Sequence, residues 1–458
     1  MAAGQAGAER ELLISVVAVA CLAVLSGGCG RLPEPGQKSE PEPVREEFAE
    51  RPEHSATPSP QASPMPSSTP SPGAYWTGDS FAGTGYLLPL TIQYAGTSNA
   101  VLYFELEQPA DGYLFYWHEG QSIEEAQQQP LASDGSVHKL LLEDLDPGSI
   151  YRMDVGLEGN DGRLRAPSWR GEPWGTVTLR TRDMDDTHIR VGVIGDSGFG
   201  EPVTYALGEQ LAGSDLDFVI HTGDVVYRMD EEQDDPFLAY WLKYFLPFKP
   251  VLQQMPVYPV PGNHEYDAAA MWNNYPFYYH AFPSDPLINS PEEGIDGNRR
   301  WYALEYGSIQ FLMMDSETVF GAPGRQEMRS WLEDRLQDDR FELTIPVAHI
   351  PLFSSGRYAD ESEIFQQLWH GLFSTSSVPL VLSGHDHNYQ RIEVDGITYL
   401  VSGGGSTVLY GMQEPAEGHR FFQRVSHYVV LDIGPENIDI QAFSWEGELL
   451  DGTVIGRP

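Results

Sequence analysis

The chain has 458 residues, and 27 Lys plus Arg stand against 67 Asp plus Glu for a net charge of −40. That balance argues against nucleic acid as a partner, because a phosphate backbone needs cationic contacts. Hydrophobic residues at 41% and aromatics at 12% exclude a wholly disordered chain, and the length calls for a small domain plus a larger one.

An apolar run from Leu12 to Leu25 begins after Arg10 and ends in Ser26-Gly27-Gly28-Cys29. It is shorter than the roughly 20 residues of a membrane-spanning helix and reads as an export signal. Small residues before a cysteine resemble a bacterial lipoprotein processing site, in which Cys29 becomes the acylated first residue. Ser26 departs from the aliphatic residue that pattern prefers, so simple cleavage and an uncleaved anchor stay open. Residues 1–29 are thus a signal or lipoprotein segment, and the expected location is periplasmic or cell-surface with a lipid anchor at Cys29. Cys21 and Cys29 are the two cysteines, so no disulfide or thiolate metal site is expected in the folded domains. Residues 30–74 are rich in Pro, Ser and Glu. They bury too little apolar surface to offset the entropy of folding and read as a disordered tether.

Residues 75–183 alternate apolar and polar positions in short runs, such as Val101-Leu-Tyr-Phe-Glu-Leu106 and Tyr113-Leu-Phe-Tyr-Trp117, separated by Gly, Pro, Asp and Asn. That spacing predicts a β-sandwich. The stretch Leu142 to Tyr151, with Pro147-Gly148 before the tyrosine, resembles the corner of a fibronectin type III domain. A packing platform is the plainer role for such a sandwich, and binding a partner or glycan is the alternative.

Residues 188–458 open with Val191-Gly-Val-Ile-Gly-Asp196-Ser-Gly198, an apolar strand ending in a carboxylate, followed by a helix near Val203 to Leu211. Phe218-Val-Ile-His-Thr-Gly-Asp224-Val-Val-Tyr227 repeats the pattern, so two parallel strands are expected to bring Asp196 and Asp224 to one crevice. Further apolar runs end in Gly262-Asn263-His264-Glu265, in His349, and in Gly384-His385-Asp386-His387. Singly each is weak, since a Gly-Asp is usually a turn and a lone His usually satisfies a carbonyl. Together, five strand ends carrying carboxylates and imidazoles need a cation to be tolerable in a core. Helices are expected from Pro236 to Phe245 and from Gln326 to Leu336. Strands are expected at Ile309 to Met314 and at the runs from Thr398 and from Tyr428, the last two adding to a second sheet. His221 and His280 are read as structural.

The set Asp196-x-Gly198, Gly223-Asp224-x-x-Tyr227, Gly262-Asn263-His264-Glu265, Val347-Ala-His349 and Gly384-His385-x-His387 resembles the calcineurin-like metallophosphoesterases. Gly198, where most of that superfamily has His, together with Tyr227 and the continuation Tyr389-x-Arg391, is similar to the purple acid phosphatase branch. On this footing the chain looks like a bacterial secreted member. The resemblance implies an α/β fold, a four-layer α/β/β/α sandwich preceded by a fibronectin type III-like domain. It implies two metal ions: Fe(3+) on Asp196, Asp224, Tyr227 and His387, and Zn(2+), Mn(2+) or Fe(2+) on Asp224, Asn263, His349 and His385, with Asp224 bridging. A phenol of reference pKa near 10 ionises at ordinary pH only beside a strongly Lewis-acidic cation, which suits ferric iron at Tyr227. The implied reaction is phosphomonoester hydrolysis by in-line attack of a bridging hydroxide. His264 is the candidate proton donor to the leaving group, or else a support for the ligands. Plant and mammalian members have histidine shortly after the Val-x-x-His motif; here Arg357 follows and is expected to contact phosphate, a solvated loop arginine being the alternative. A phosphodiesterase or nucleotidase on the same metals is the rival reading, and a non-catalytic surface binding protein the more distant one. The expected partners are a small phosphate ester and, through Cys29, a membrane.

Overall fold

The computed structural model describes residues 84–458 except 160, 185–186, 228–235, 268–272, 275–277, 279–281, 283–292, 298–299 and 323. The expected signal segment with Cys29, the expected tether and His280 lie outside the described residues.

The period-two runs of the N-terminal part become β1 (Tyr86–Ala95), β2 (Ala100–Leu106), β3 (Gly112–His118), β4 (Gln127–Pro130), β5 (Val137–Leu142), β6 (Ile150–Glu158) and β7 (Val177–Arg180). One sheet has the order β1-β2-β5 and the other β7-β6-β3-β4. Leu90, Leu102, Phe104 and Leu140 of the first pack with Leu114, Met153, Val155 and Leu179 of the second in one core. At the expected corner the Asp146 backbone N–H donates to the Tyr151 hydroxyl at 2.8 Å, a bond that fixes the turn into β6.

The larger unit begins with β8 (Ile189–Ile194), α1 (Pro202–Ala212) and β9 (Phe218–His221). Pro202 in the first turn supplies a preset φ, and Val203, Leu207 and Leu211 form the buried stripe of α1. Next come α2 (Pro236–Tyr240), continued by a wider turn over Trp241–Phe245, then α3 (Lys249–Leu252) and β10 (Val257–Pro259). The chain then crosses to β11 (Glu293–Gly297), β12 (Tyr302–Tyr306), β13 (Ile309–Met314), α4 (Arg325–Leu336) and β14 (Leu343–Ala348). After α5 (Ala359–Phe365) and α6 (Gly371–Ser374) come β15 (Leu380–Ser383), β16 (Tyr389–Val394), β17 (Ile397–Ser402) and β18 (His419–Gln423). The chain closes with β19 (His427–Ile433), β20 (Asn437–Ser444) and β21 (Leu449–Gly456).

Two sheets result, β10-β9-β8-β19-β20-β21 and β11-β12-β13-β14-β15-β17-β16-β18. Alternation along each strand makes the layers. Val191, Val193, Phe218 and Ile220 of the first sheet meet Phe311, Met313, Ile345 and Val347 of the second in a core between the sheets. The opposite faces are covered by helices: Ile194 and Val219 lie in one cluster with Leu207 and Leu211, and Leu312, Met314 and Val381 in another with Met328, Leu332, Phe365 and Trp369. Each such fully buried aliphatic or aromatic side chain contributes about 1.5–3 kcal/mol, and the order of layers is helix, sheet, sheet, helix.

One expectation needs correction. The strand begun at Tyr428 does not extend the second sheet; β19 pairs antiparallel with β8 in the middle of the first. Val429, Leu431 and Ile433 face the core between the sheets while Tyr428 and Val430 face the helical side, and only a central strand buries both of its faces. The strand from Thr398 does join the second sheet, as β17.

An aromatic seam fastens the β unit to the larger one. Trp169 lies 4.2 Å from the Trp241 ring and 5.0 Å from that of Phe245, centroid to centroid. The Trp174 indole N–H donates to Leu90 O at 2.8 Å, and Gln253 Nε2 donates to Trp174 O at 2.6 Å.

Candidate metal centre

Strands β8, β9 and β10 run parallel, as do β14 and β15 in the other sheet. Their carboxyl ends open at one place, where parallel strands leave a crevice. Asp196 follows β8, Asp224 follows β9, Asn263 follows β10, His349 follows β14, and His385 with His387 follows β15. All seven expected ligands come together there.

The donor atoms form two groups that share one residue: Asp196, Asp224 and His387 in one, Asp224, His349 and His385 in the other, with all ligand atoms of a group within 4.8 Å of one another. Tyr227 joins the first group. Its hydroxyl donates to Asp196 Oδ1 at 3.0 Å and lies 3.0 Å from His387 Nε2. Asn263 joins the second, its Oδ1 3.2 Å from His349 Nε2. The imidazoles are oriented from behind: His349 Nδ1 lies 2.8 Å from Thr222 O and His387 Nδ1 2.6 Å from Val408 O. A carbonyl only accepts, so both Nδ1 atoms carry hydrogen and both Nε2 lone pairs face the centre.

The electrostatics ask for positive charge. Burial disfavours a charged His349, yet the Asp224 carboxylate overrides it and pushes the imidazole up to about 10. His387 is likewise raised, by Asp196 against its burial. Burial pushes the Asp224 carboxyl up, but His349 and His264 outweigh that and hold it below the ordinary carboxylate range. Protons are thus drawn to nitrogens that face carboxylates, and a cation bound there would displace them. Tyr227 is raised well above an ordinary phenol by burial and then by Asp196 and Asp224, so its ionisation needs a strong Lewis acid. Two carboxylates, a phenol, an amide and three imidazoles in this arrangement fit a pair of cations bridged by Asp224.

The loops are held in unusual backbone. Asp196, Asp224 and His385 have φ of 58°, 54° and 66°, the left-handed region that costs non-glycine residues about 1–3 kcal/mol each. Bonds among the loops sustain it: Asp196 N donates to Gly223 O at 3.0 Å, and His385 N donates to Asp196 Oδ2 at 2.9 Å. Glu265, to which sequence assigned no firm role, is the main clamp. Its buried carboxylate accepts from the backbone N–H of Gly262, Asp224, Val225 and Val226 at 2.7–3.3 Å, tying the ends of β9 and β10 together. Burial and then Asp224 push its carboxyl up to about 7. Gly198 also gains a reason, because a Cβ there would lie 2.4 Å from Val226 Cα. No histidine can stand at that position, and Tyr227 N–H bonds Gly198 O at 2.9 Å.

A cavity of about 240 Å³ opens over the centre, with Asn263 and His264 in its walls. Phe199 stacks on Tyr227 at 4.0 Å, Tyr410 on His387 at 4.3 Å, and Tyr358 lies 4.1 Å from His385. The His264 backbone N–H donates to Asp224 Oδ1 at 3.0 Å, and its ring rests 4.5 Å from Tyr227. Arg357 is not brought among the cavity-lining residues; it is exposed, over the rings of Tyr410 and Tyr358 at 4.8 and 5.4 Å. His221 is buried against Ser197 Oγ at 2.8 Å and is pushed down to about 4 by burial, in keeping with a structural role. Sequence reasoning missed the wall residues Phe199, Tyr358 and Tyr410. It also missed Asp386, which accepts from Ser354 Oγ and from Arg357 N at 2.8 Å; its place between two ligand histidines was the available signal.

Residues 189–389 match the family model described as calcineurin-like phosphoesterase. The chain is 25% identical over 283 residues to acid phosphatase type 7 of Mus musculus, an alignment covering 56% of this chain and 57% of that protein. It is 24% identical over 287 residues to Fe(3+)-Zn(2+) purple acid phosphatase 12 of Arabidopsis thaliana, covering 59% of this chain and 56% of the relative. The chain thus spans little more than half the length of these relatives. Among solved structures, purple acid phosphatase PPD1 from yellow lupin (Lupinus luteus) seeds gives a TM-score of 0.61 at 17% identity, over 80% of this chain and 74% of that one, a likeness of fold.

Proposed function

We propose, from the premise that residues 189–389 form a calcineurin-like metallophosphoesterase domain with purple acid phosphatase homologues, that this protein is a phosphoric ester hydrolase acting on monoesters. The observation that carries the reading is Asp224 standing in both donor groups, the arrangement two adjacent cations need. Asp196, Tyr227 and His387 with Asp224 hold the first, read as ferric iron because of the phenol. Asn263, His349 and His385 with Asp224 hold the second, read as zinc, manganese or ferrous iron. Such a pair, when bound, supplies an activated water and neutralises phosphate charge.

The remaining steps belong to the side chains. Asn263 and His264 face the cavity where the ester must enter. His264, fixed through its backbone to Asp224, is placed to give a proton to the departing alkoxide. Arg357 contacts the phosphate or its substituent from the rim by rotating off Tyr410. We read the β unit, residues 75–183, as a fibronectin type III-like platform on its strand order and tyrosine corner, and residues 188–458 as the catalytic domain. Residues 1–29 and 30–74 serve as export signal and tether, with Cys29 as lipid anchor at the cell surface or in the periplasm.

Elemental analysis, a visible spectrum and monoester turnover of the purified protein test this, alongside Asp224→Asn. Two ions per chain, a tyrosinate-to-iron absorption band and loss of turnover in the variant are expected. A single ion, or equal turnover by Asp224→Asn, sinks the proposal.

A further inference from the structure

The three histidines of the centre are not anchored alike. His349 and His387 each give their outer N–H to a backbone carbonyl, which side-chain chemistry cannot change. His385 turns Nδ1 inward, 3.2 Å from His349 Nε2. Its outer Nε2 is buried and has no hydrogen-bond partner among the described residues. The carboxylate of Glu361, in the first turn of α5, stands 3.3 Å from that nitrogen, off the line a hydrogen bond needs. A buried ring N–H without an acceptor is costly, and Glu361 is half-exposed and free to rotate the short distance that aligns it.

The chain is built to hold Glu361 there. Asp386, the residue after His385, collects Ser354 Oγ–H and the backbone N–H groups of Arg357 and Tyr358. That loop delivers Tyr358 against the His385 ring at 4.1 Å. Glu361 N–H then bonds Tyr358 O at 3.0 Å, starting the helix. The backbone beside His385 therefore folds the loop that brings the carboxylate back to its edge.

We infer that Glu361 is a positioning residue for the Asp224, Asn263, His349 and His385 half of the centre. It accepts the Nε2–H of His385, fixes the tautomer whose Nδ1 lone pair faces inward, and makes that nitrogen a stronger donor. The inference rests on the reading that this half holds a cation. The two halves then differ in kind: the imidazole of one leans on backbone, while the other adds to its backbone-held His349 a His385 that leans on a carboxylate solvent reaches.

The test uses the full chain loaded with zinc, with zinc and iron content followed by elemental analysis during dialysis against a competing chelator. Glu361→Ala is expected to weaken zinc retention about 10- to 100-fold and leave iron content unchanged. Glu361→Gln, whose carbonyl still accepts the N–H, should fall between it and the parent. Glu363→Ala removes an equal charge from an exposed position on the same helix and should change nothing. Parent-like zinc retention in Glu361→Ala, or an equal loss in Glu363→Ala, overturns the inference while leaving the hydrolase reading standing. A parent protein that takes up no zinc or other second ion overturns both.

Discussion

The metal centre and the aromatic seam are buried to a similar degree and built from opposite materials. At the centre, Asp196, Asp224, His349 and His385 are polar groups in a core, and Asp196, Asp224 and His385 are held in left-handed backbone by bonds among loops. At the seam, Trp169, Trp174, Trp241 and Phe245 present ring faces and one indole N–H, with no titratable group among them. The first stores strain and charge for use; the second supplies area. Substitutions should therefore separate, the centre losing chemistry with little change in stability and the seam losing stability with little change in chemistry.

The sharpest separation is expected for Asp196→Asn, which weakens a side chain touching Tyr227, His387 and the His385 backbone. Monoester turnover should fall by about 10³-fold while the unfolding midpoint of the metal-free protein stays or rises. A drop in that midpoint would show the centre to be a structural staple. Trp169→Ala is the converse, with a loss of about 3–5 kcal/mol in denaturant unfolding and unchanged kcat per folded molecule. Reduced kcat in folded protein would mean that the seam transmits to the centre. Glu265→Gln lies between, because it puts an amide donor against four backbone N–H groups. Turnover about 10- to 100-fold lower together with about 1–3 kcal/mol of lost stability is expected, and either effect alone would show that clamp and chemistry are separable.

The smallest effect depends on pH. Burial pushes the Asp154 carboxyl in β6 up to about 7, against a Thr176 Oγ1–H bond at 3.0 Å. A carboxyl that binds its proton more tightly folded than unfolded adds no penalty below the unfolded value near 4. It destabilises progressively as pH rises towards 7 and fully above that. Asp154→Asn should thus stabilise by roughly 1–3 kcal/mol at pH 8 and by little at pH 4, read from paired melts. Equal gains at both pH values would assign the effect to packing.

Much of the centre was legible because four of the seven expected ligands come directly after a Gly at the end of a short apolar strand: Gly195-Asp196, Gly223-Asp224, Gly262-Asn263, Gly384-His385. Strand ends are local features, and so are ligand residue types. The layer order was an expectation carried by the resemblance. What could not be read depends on pairing between distant segments. Trp169 and Trp241 carry no mark that they meet, Glu265 looks like any loop acid until four N–H groups are seen around it, and β19 has the same pattern wherever both of its faces are covered. Arg357 was expected at the phosphate from its position after His349; Tyr410, contributed by a distant loop, draws its guanidinium aside to the rim.

The placement of β19 beside β8 bears on how the molecule is made. The strand that ends at Asp196 is made before any strand of the second sheet, yet one of its two neighbours, β19, follows all of them. Until then its edge stays open and prone to wrong partners, so the first sheet is completed only after every strand of the second has emerged, a slow step that long-range pairing imposes. Removing β19, β20 and β21 would leave β8, the strand that ends at Asp196, as an open edge paired with β9 alone.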